Sequence, residues 1–358
     1  MIPYLHIFLG ALVLAVIALV AWSFWMVPRW SRPGIFFAVT VPVPFTSSPE
    51  AADMLRSYRL QTMLHVGVSF ALIVGGALTQ IWFLLLLGML WLIGGPIAAF
   101  LGGHKRATHY AIPAVTIREV TLEARETKSP GGWLAQLCPF AILIAVAIYL
   151  QIHWDEIPAR FPVHWGIDGR PNGWSVRTPM GVYFPLILAF VILAGIAPLA
   201  YGMIHWTRRI PDAQTGSVKH DFARRVSLFL LIVEYFLACV FSLVALLPLT
   251  GGIGPGAIVG ATILMLPILM ILIAWLGKGR MHPETHADAQ AVLFPGDATP
   301  DKCWKFGLFY FNPNDAALLV EKRFGVGYTL NFAHPSAWIC LALVLLVPLL
   351  LLFTFAKR

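Results

Sequence analysis

Charge is what this chain has least of. Only 12% of its 358 residues are Asp, Glu, Lys or Arg, about half the share usual in soluble domains. That shortage excludes an ordinary water-soluble protein, because helices with a polar face are missing as well. Cysteine is scarce too. Cys138, Cys239 and Cys340 fall inside apolar stretches and Cys303 in a polar one. This excludes the disulfide framework of a small secreted domain and leaves all four as packing residues. Neither an inverted repeat nor a matched pair of Gly/Pro-broken apolar segments is present, so the usual sequence mark of a secondary-transport site is absent.

In abundance instead are apolar residues, 59% of the chain. They form blocks of about 20, the length of a helix crossing a hydrocarbon core roughly 30 Å thick. Eight blocks are read, at 3–27, 61–78, 80–101, 134–153, 179–204, 226–248, 256–277 and 336–355. The second and third form a tight helical hairpin, with the glycines of the Gly75-Gly76 to Gln80 stretch permitting the reversal. The expected fold is an all-α polytopic membrane protein with about eight transmembrane helices. It divides into a three-helix region (1–133), a helix–loop–helix unit (134–204), two further helices (205–277) and a polar segment with the last helix (278–358).

The loops 28–60, 102–133, 205–225 and 278–335 hold twenty of the 25 Lys and Arg residues. The positive-inside rule then makes these loops cytoplasmic and places both termini outside, in a multi-pass protein of the cell's inner (cytoplasmic) membrane. Basic charge shared among four loops also argues against a nucleic-acid-binding face. Met1 to Tyr4 has neither a basic region nor a following cleavage site, so the first block reads as a retained helix. Trp22, Trp25, Trp30, Trp133, Trp154, Trp206, Trp275 and Trp338 sit near block ends, as interfacial anchors do.

The outside loop after the fourth block is the most informative stretch. Over Trp154 to Trp174 three prolines, three glycines and Asn172-Gly173 mark successive tight turns rather than a regular element. Asp168-Gly169 and Asn172-Gly173 both suit positive φ. His153, Asp155, Glu156, His164 and Asp168 are the residue types of a metal or acid/base site. No ligand spacing repeats, however, and no nucleophile stands out. A loop whose His164 and Asp168 bond its own turns fits the same residues, as does a recognition surface built from Pro162, His164, Trp165, Asp168, Pro171, Asn172 and Trp174. No metal or cofactor is assigned.

The pattern Ile157-Pro158, Pro162-Val163-His164-Trp165 and Gly169-Arg170-Pro171-Asn172-Gly173-Trp174, set between two apolar blocks, resembles a bacterial membrane family, domain of unknown function 1648. Its best-studied members are the SdpI-like (Sdp-type) immunity proteins. The resemblance covers roughly 142–190. Gly166 stands where the family usually has Asn, and Asn172 where it usually has Asp. What the resemblance implies is protection against a secreted toxic peptide and, in the best-known members, tethering of a small transcriptional repressor.

Residues 278–335 are the longest polar segment. His282, Glu284, His286 and Asp288 are interrupted by Pro283 and do not match the zinc-protease spacing, so this half reads as a linker. Trp304 to Phe311 and Leu318 to Phe332 are aromatic and β-branched runs around Asn-Pro and Gly, which read as a small cytoplasmic β-hairpin insert. Such a unit is marginal alone and is expected to pack on the bundle or on another chain. The segment resembles a second module, domain of unknown function 5808.

Glu234 is the one acid deep in a block; intramembrane acids default to a functional reading such as proton coupling or substrate contact, and a protonated acid making a structural hydrogen bond fits the same residue. His65 and Gln80 are expected to bond between helices. Three classes of function follow. A sensory or immunity-type protein would bind a peptide or envelope ligand outside and engage a repressor or membrane-complex partner inside. A proton-coupled transporter would use Glu234. A membrane enzyme is a distant third, since catalytic spacing is absent, and outside these three classes stands a structural accessory subunit of a membrane complex.

Overall fold

The structure, a computed structural model, describes residues 5–32, 34–113, 129–165, 171–202, 216–250, 256–278, 297 and 299–342. Its helices are α1 (Leu5–Met26), α2 (Pro49–Thr79), α3 (Trp82–Ala107), α4 (Gly132–Ile152), α5 (Pro179–Gly202), α6 (Gly216–Leu246) and α7 (Gly256–Lys278). Among the described residues, six helices are long and apolar enough to cross a membrane, and the apolar part of α7, Thr262–Gly277, is shorter. The block expected at 336–355 is helical over 335–342, and its remainder lies outside the described residues. Leu78, Trp82 and Ile152 are 73–80% exposed, the reverse of a water-soluble bundle and the surface a bilayer requires. The fold is that of a mostly α-helical polytopic membrane protein.

α2 and α3 form the expected hairpin, but its reversal lies at Gln80, which takes the left-handed conformation at φ 59°. Gly75 and Gly76 stay helical. A Cβ on Gly76 would meet the Leu85 backbone nitrogen at 2.7 Å, so that glycine serves close helix approach and not the turn. His65 does reach across, its ring edge-on to Trp91 at 5.7 Å. Gln80 does not: its amide nitrogen donates to Ala77 O within its own turn.

Among the described residues, four two-stranded sheets decorate the bundle. Three gather at the end bearing the basic loops: β1 (Ile35–Phe36) with β2 (Val39–Thr40), β5 (Trp304–Lys305) with β6 (Phe309–Tyr310), and β7 (Leu319–Glu321) with β8 (Tyr328–Leu330). A Tyr310–Asn331 bridge links the last two. The expected insert is therefore larger than one hairpin, and the loop 28–60 contributes to it. The β1–β2 turn consists of Phe37 (φ 45°) and Ala38 (φ 63°). Side chains rarely adopt that region. Packing holds it: Phe37 lies edge-on to Tyr58 at 5.3 Å and against Gly103 of α3.

This assembly caps the helix ends. Leu319 of β7 shares an apolar core with Phe222 and Val226 of α6 and Leu276 of α7, with Tyr328 and Leu330 of β8 packed beside it. Trp30 is 2% exposed and sits so close to Gly277 that any Cβ there would clash with its indole. For Trp30 the anchor expectation gives way to a wedge between the ends of α1 and α7, whereas Trp133 and Trp338 are open at 64% and 56%. Trp206 lies outside the described residues.

Candidate functional site

At the opposite end, residues 154–165 and 171–178 form regular structure and not a string of turns, and 166–170 lie outside the described residues. β3 (Arg160–Trp165) pairs antiparallel with β4 (Pro171–Val176), with irregular register on either side of His164. Phe161 and Ile157 are buried and enter one core with Leu143 and Leu150 of α4, Val182 and Leu186 of α5 and Ala245 of α6. Arg177 clamps the base, donating from Nη1 to the carbonyl oxygens of Trp154, Asp155 and Ile157 at 3.1–3.2 Å. Alternation along the strands turns Phe161 and Ser175 inward and Trp174 and Val176 outward.

On the outer side the sequence-picked residues partly meet. His164 pairs with Gly173 across the ladder and donates from Nδ1 to Asn172 Oδ1. Gly173 has no positive φ here. It is small because a Cβ would lie 2.7 Å from His164 Cβ. Arg160 stacks on Trp174 at 5.0 Å, a cation–π contact. Trp174, Val163 and Val176 are 46–53% exposed, so the outer face is apolar and aromatic around one His–Asn pair. Pro162 is half-buried; Pro171 and Asn172 are exposed. Asp168 lies outside the described residues, and of Trp165 only the backbone is described. His153 donates from Nδ1 to Tyr149 O of its own helix and does not join His164. Among the described residues no group of three or more His, Cys, Asp and Glu gathers to hold a metal.

The basic end holds an ionic hub that the sequence did not disclose. Arg323 is 2% exposed. Its Nε and Nη2 donate to Asp297 at 2.9 and 2.8 Å, and its Nη1 to Asp301 at 2.6 Å and to Ala38 O at 3.0 Å. Nη2 also reaches Thr299 O. Asp301 in turn accepts from the Thr40 hydroxyl at 2.7 Å, and Arg32 pairs with Glu321. Burial alone would raise the Asp297 carboxyl; the Arg323 guanidinium and the Thr299 hydroxyl reverse this and hold it at about 2. Burial alone would lower Arg323, and the two aspartates carry it above its ordinary value. Asn331, fully buried, accepts from Asn312 N and donates to the carbonyls of Asn312, Asp315 and Ala317. His282 and His286 lie outside the described residues. Arg323 stands in the charged run Glu321-Lys322-Arg323, and nothing in that local sequence marks it as the centre of a buried hub.

Between the two ends lies Glu234. It is fully buried in α6, and neither carboxyl oxygen has a hydrogen-bond partner among the described residues. Gln136 of α4, 7% exposed, has both amide atoms in the same condition. Tyr235 donates to Ala135 O at 3.1 Å, which seats this turn of α6 against the first turn of α4. The two unpartnered groups thus lie on two helices, α4 and α6, that pack against each other.

No curated protein and no solved structure matches this chain significantly. Two family matches bracket the two ends just described, and neither spans half of the chain. Residues 141–189, from α4 through the β3–β4 hairpin into α5, match Domain of unknown function (DUF1648), and residues 313–338, which include Arg323, Asn331 and β7–β8, match Family of unknown function (DUF5808).

Proposed function

We propose that this chain is a membrane sensor of the immunity type, in which the β3–β4 hairpin recognises a peptide or envelope ligand and the sheet assembly at the basic end gives the output. One observation carries the reading. α6 enters the core beneath the hairpin through Ala245 and the core beneath β7–β8 through Phe222 and Val226. From Phe222 to Ala245 a helix runs roughly 35 Å at 1.5 Å per residue, so one rigid element joins both ends. A ligand that shifts the hairpin base has a mechanical route to the far side. The excess of Lys and Arg at the sheet assembly argues for placing that end in the cytoplasm, both termini outside and the whole in the inner membrane. A repressor or a membrane-complex subunit is the partner expected there.

The outer face supplies the recognition chemistry: an exposed tryptophan, two valines and a histidine–asparagine pair suit an apolar peptide with a polar anchor. Exchanging Trp174→Ala and His164→Ala together is expected to abolish protection from the cognate toxic peptide while membrane abundance stays unchanged, since neither side chain enters the core. Growth of cells challenged with the peptide reads the outcome. Full protection in the double variant would refute the assignment.

A second reading, proton-coupled transport through Glu234, is favoured by the unpartnered carboxyl and amide of the α4–α6 seam.

A further inference from the structure

We infer that the β5–β6 hairpin rests in the headgroup layer of an anionic lipid leaflet, with Phe306, Phe309 and Phe311 entering the interface and Lys302 and Lys305 facing lipid phosphate. This goes beyond the sensor reading and is independent of it.

The strands alternate in an unusual sense. Trp304 and Tyr310 turn inward and are 4% and 0% exposed. Lys305 is exposed and pairs across the ladder with Phe309. Phe306 at the turn is 69% exposed, Phe309 50% and Phe311 46%. The solvent face of an antiparallel sheet normally carries polar residues, and a contiguous exposed aromatic face marks a contact surface. Here the face combines phenylalanines with lysines, the composition of an interfacial membrane contact.

Position selects lipid as the occupant. The glycine beside Phe306, Gly307, is fitted against His104, whose Nδ1 would lie 2.9 Å from a Cβ there. His104, Lys105 and Arg106 form the last turn of α3, one of the six membrane-length helices, and Lys105 and Arg106 are exposed. The hairpin tip is therefore at the depth where a spanning helix leaves the hydrocarbon. The aromatic face also continues along the chain: Phe309 contacts Phe332 at 5.8 Å, and Phe332 contacts Trp338 at 5.4 Å. Trp338 and Ile339 are 56% and 62% exposed at the start of the last apolar block. Basic residues near an anionic leaflet contribute about 1 kcal/mol each, or roughly a fivefold preference per lysine.

The full chain, with p-benzoylphenylalanine in place of Phe306 or of Phe309, is reconstituted into nanodiscs of mixed phosphatidylcholine and phosphatidylglycerol and irradiated. Mass spectrometry is expected to find lipid adducts at both positions, enriched severalfold in phosphatidylglycerol over its bulk share. Lys302→Gln with Lys305→Gln should return that ratio to the bulk value while the lipid adducts persist. Cross-links to a second copy of the chain, or no adduct at either position, would overturn the inference. So would lipid adducts at the bulk ratio that the lysine substitutions leave unchanged.

Discussion

Replacing Arg323 by methionine should open the sheet assembly at the basic end at a cost on the order of 3–5 kcal/mol, the range for breaking a buried ion pair from one side. The size follows from what the guanidinium leaves behind. Asp297 is 8% exposed, and with Arg323 absent it loses both hydrogen-bonded guanidinium contacts and keeps only the more distant charge of Arg32, itself paired with Glu321. Asp301 keeps its bond from Thr40, but the link from Ala38 O to the 297–323 segment is lost. Lysine is no substitute, because one ammonium does not supply the separate Nε, Nη1 and Nη2 directions that meet Asp297, Asp301, Ala38 and Thr299. Hydrogen exchange in the purified full chain reads the effect. Amides of 35–41 and of 319–331 should lose protection together, since the hub is what joins two segments so far apart in sequence. Loss confined to 319–331 would show that β1–β2 stands without it. Adding Asp297→Asn to Arg323→Met should restore part of the protection, because no charge is then left buried alone.

The same hub sets a pH dependence. The Asp297 carboxyl sits at about 2 in the folded chain against an ordinary 3.8. A carboxyl depressed in the folded state contributes stability above its unfolded value and loses it as pH falls through the folded one. Protection of 319–331 should therefore hold constant from neutral pH down to about 5 and decline between about 4 and 2. In the doubly neutral Arg323→Met/Asp297→Asn chain that decline should be absent.

The spans were legible because hydrocarbon imposes a length and a composition on every crossing helix, so the block at 134–153 and α4 (Gly132–Ile152) nearly coincide. The ends were less so. The hairpin at 160–176 reads as turns because its prolines and glycines sit inside the strands: Pro162 and Pro171 at ladder positions, and Gly173 where His164 leaves no room. The basic hub was invisible for a different reason. Its partners, Ala38, Thr40, Asp297, Asp301 and Arg323, are brought together by tertiary folding across more than half of the chain, and no local spacing carries that. Phe37-Ala38 as a left-handed turn is the extreme case, since neither residue type announces one. Glu234, by contrast, is legible from sequence alone, because an acid inside an apolar block stands out from its neighbours whatever its role.

Glu234→Leu should raise the thermal stability of the solubilised protein, by about 1–3 kcal/mol, the usual penalty for an unsatisfied buried polar group. The carboxyl is fully buried with neither oxygen hydrogen-bonded among the described residues. Leucine has nearly the same reach and nothing to satisfy, and Ala238 on the same face of α6 already packs in an apolar core. Glu234→Gln should change stability less, since the amide stays polar at the same buried position. A residue that weakens its own fold has its reason in function, and stabilising exchanges at such positions characteristically remove activity. Under the proton-coupled reading both variants therefore stop proton-driven uptake in proteoliposomes. If the chain is a sensor and not a transporter, both keep the peptide response and Leu still stabilises. A fall in stability for Glu234→Leu would instead show that the acid bonds across the α4–α6 seam as a structural group, and the transport reading would lose the observation it stands on.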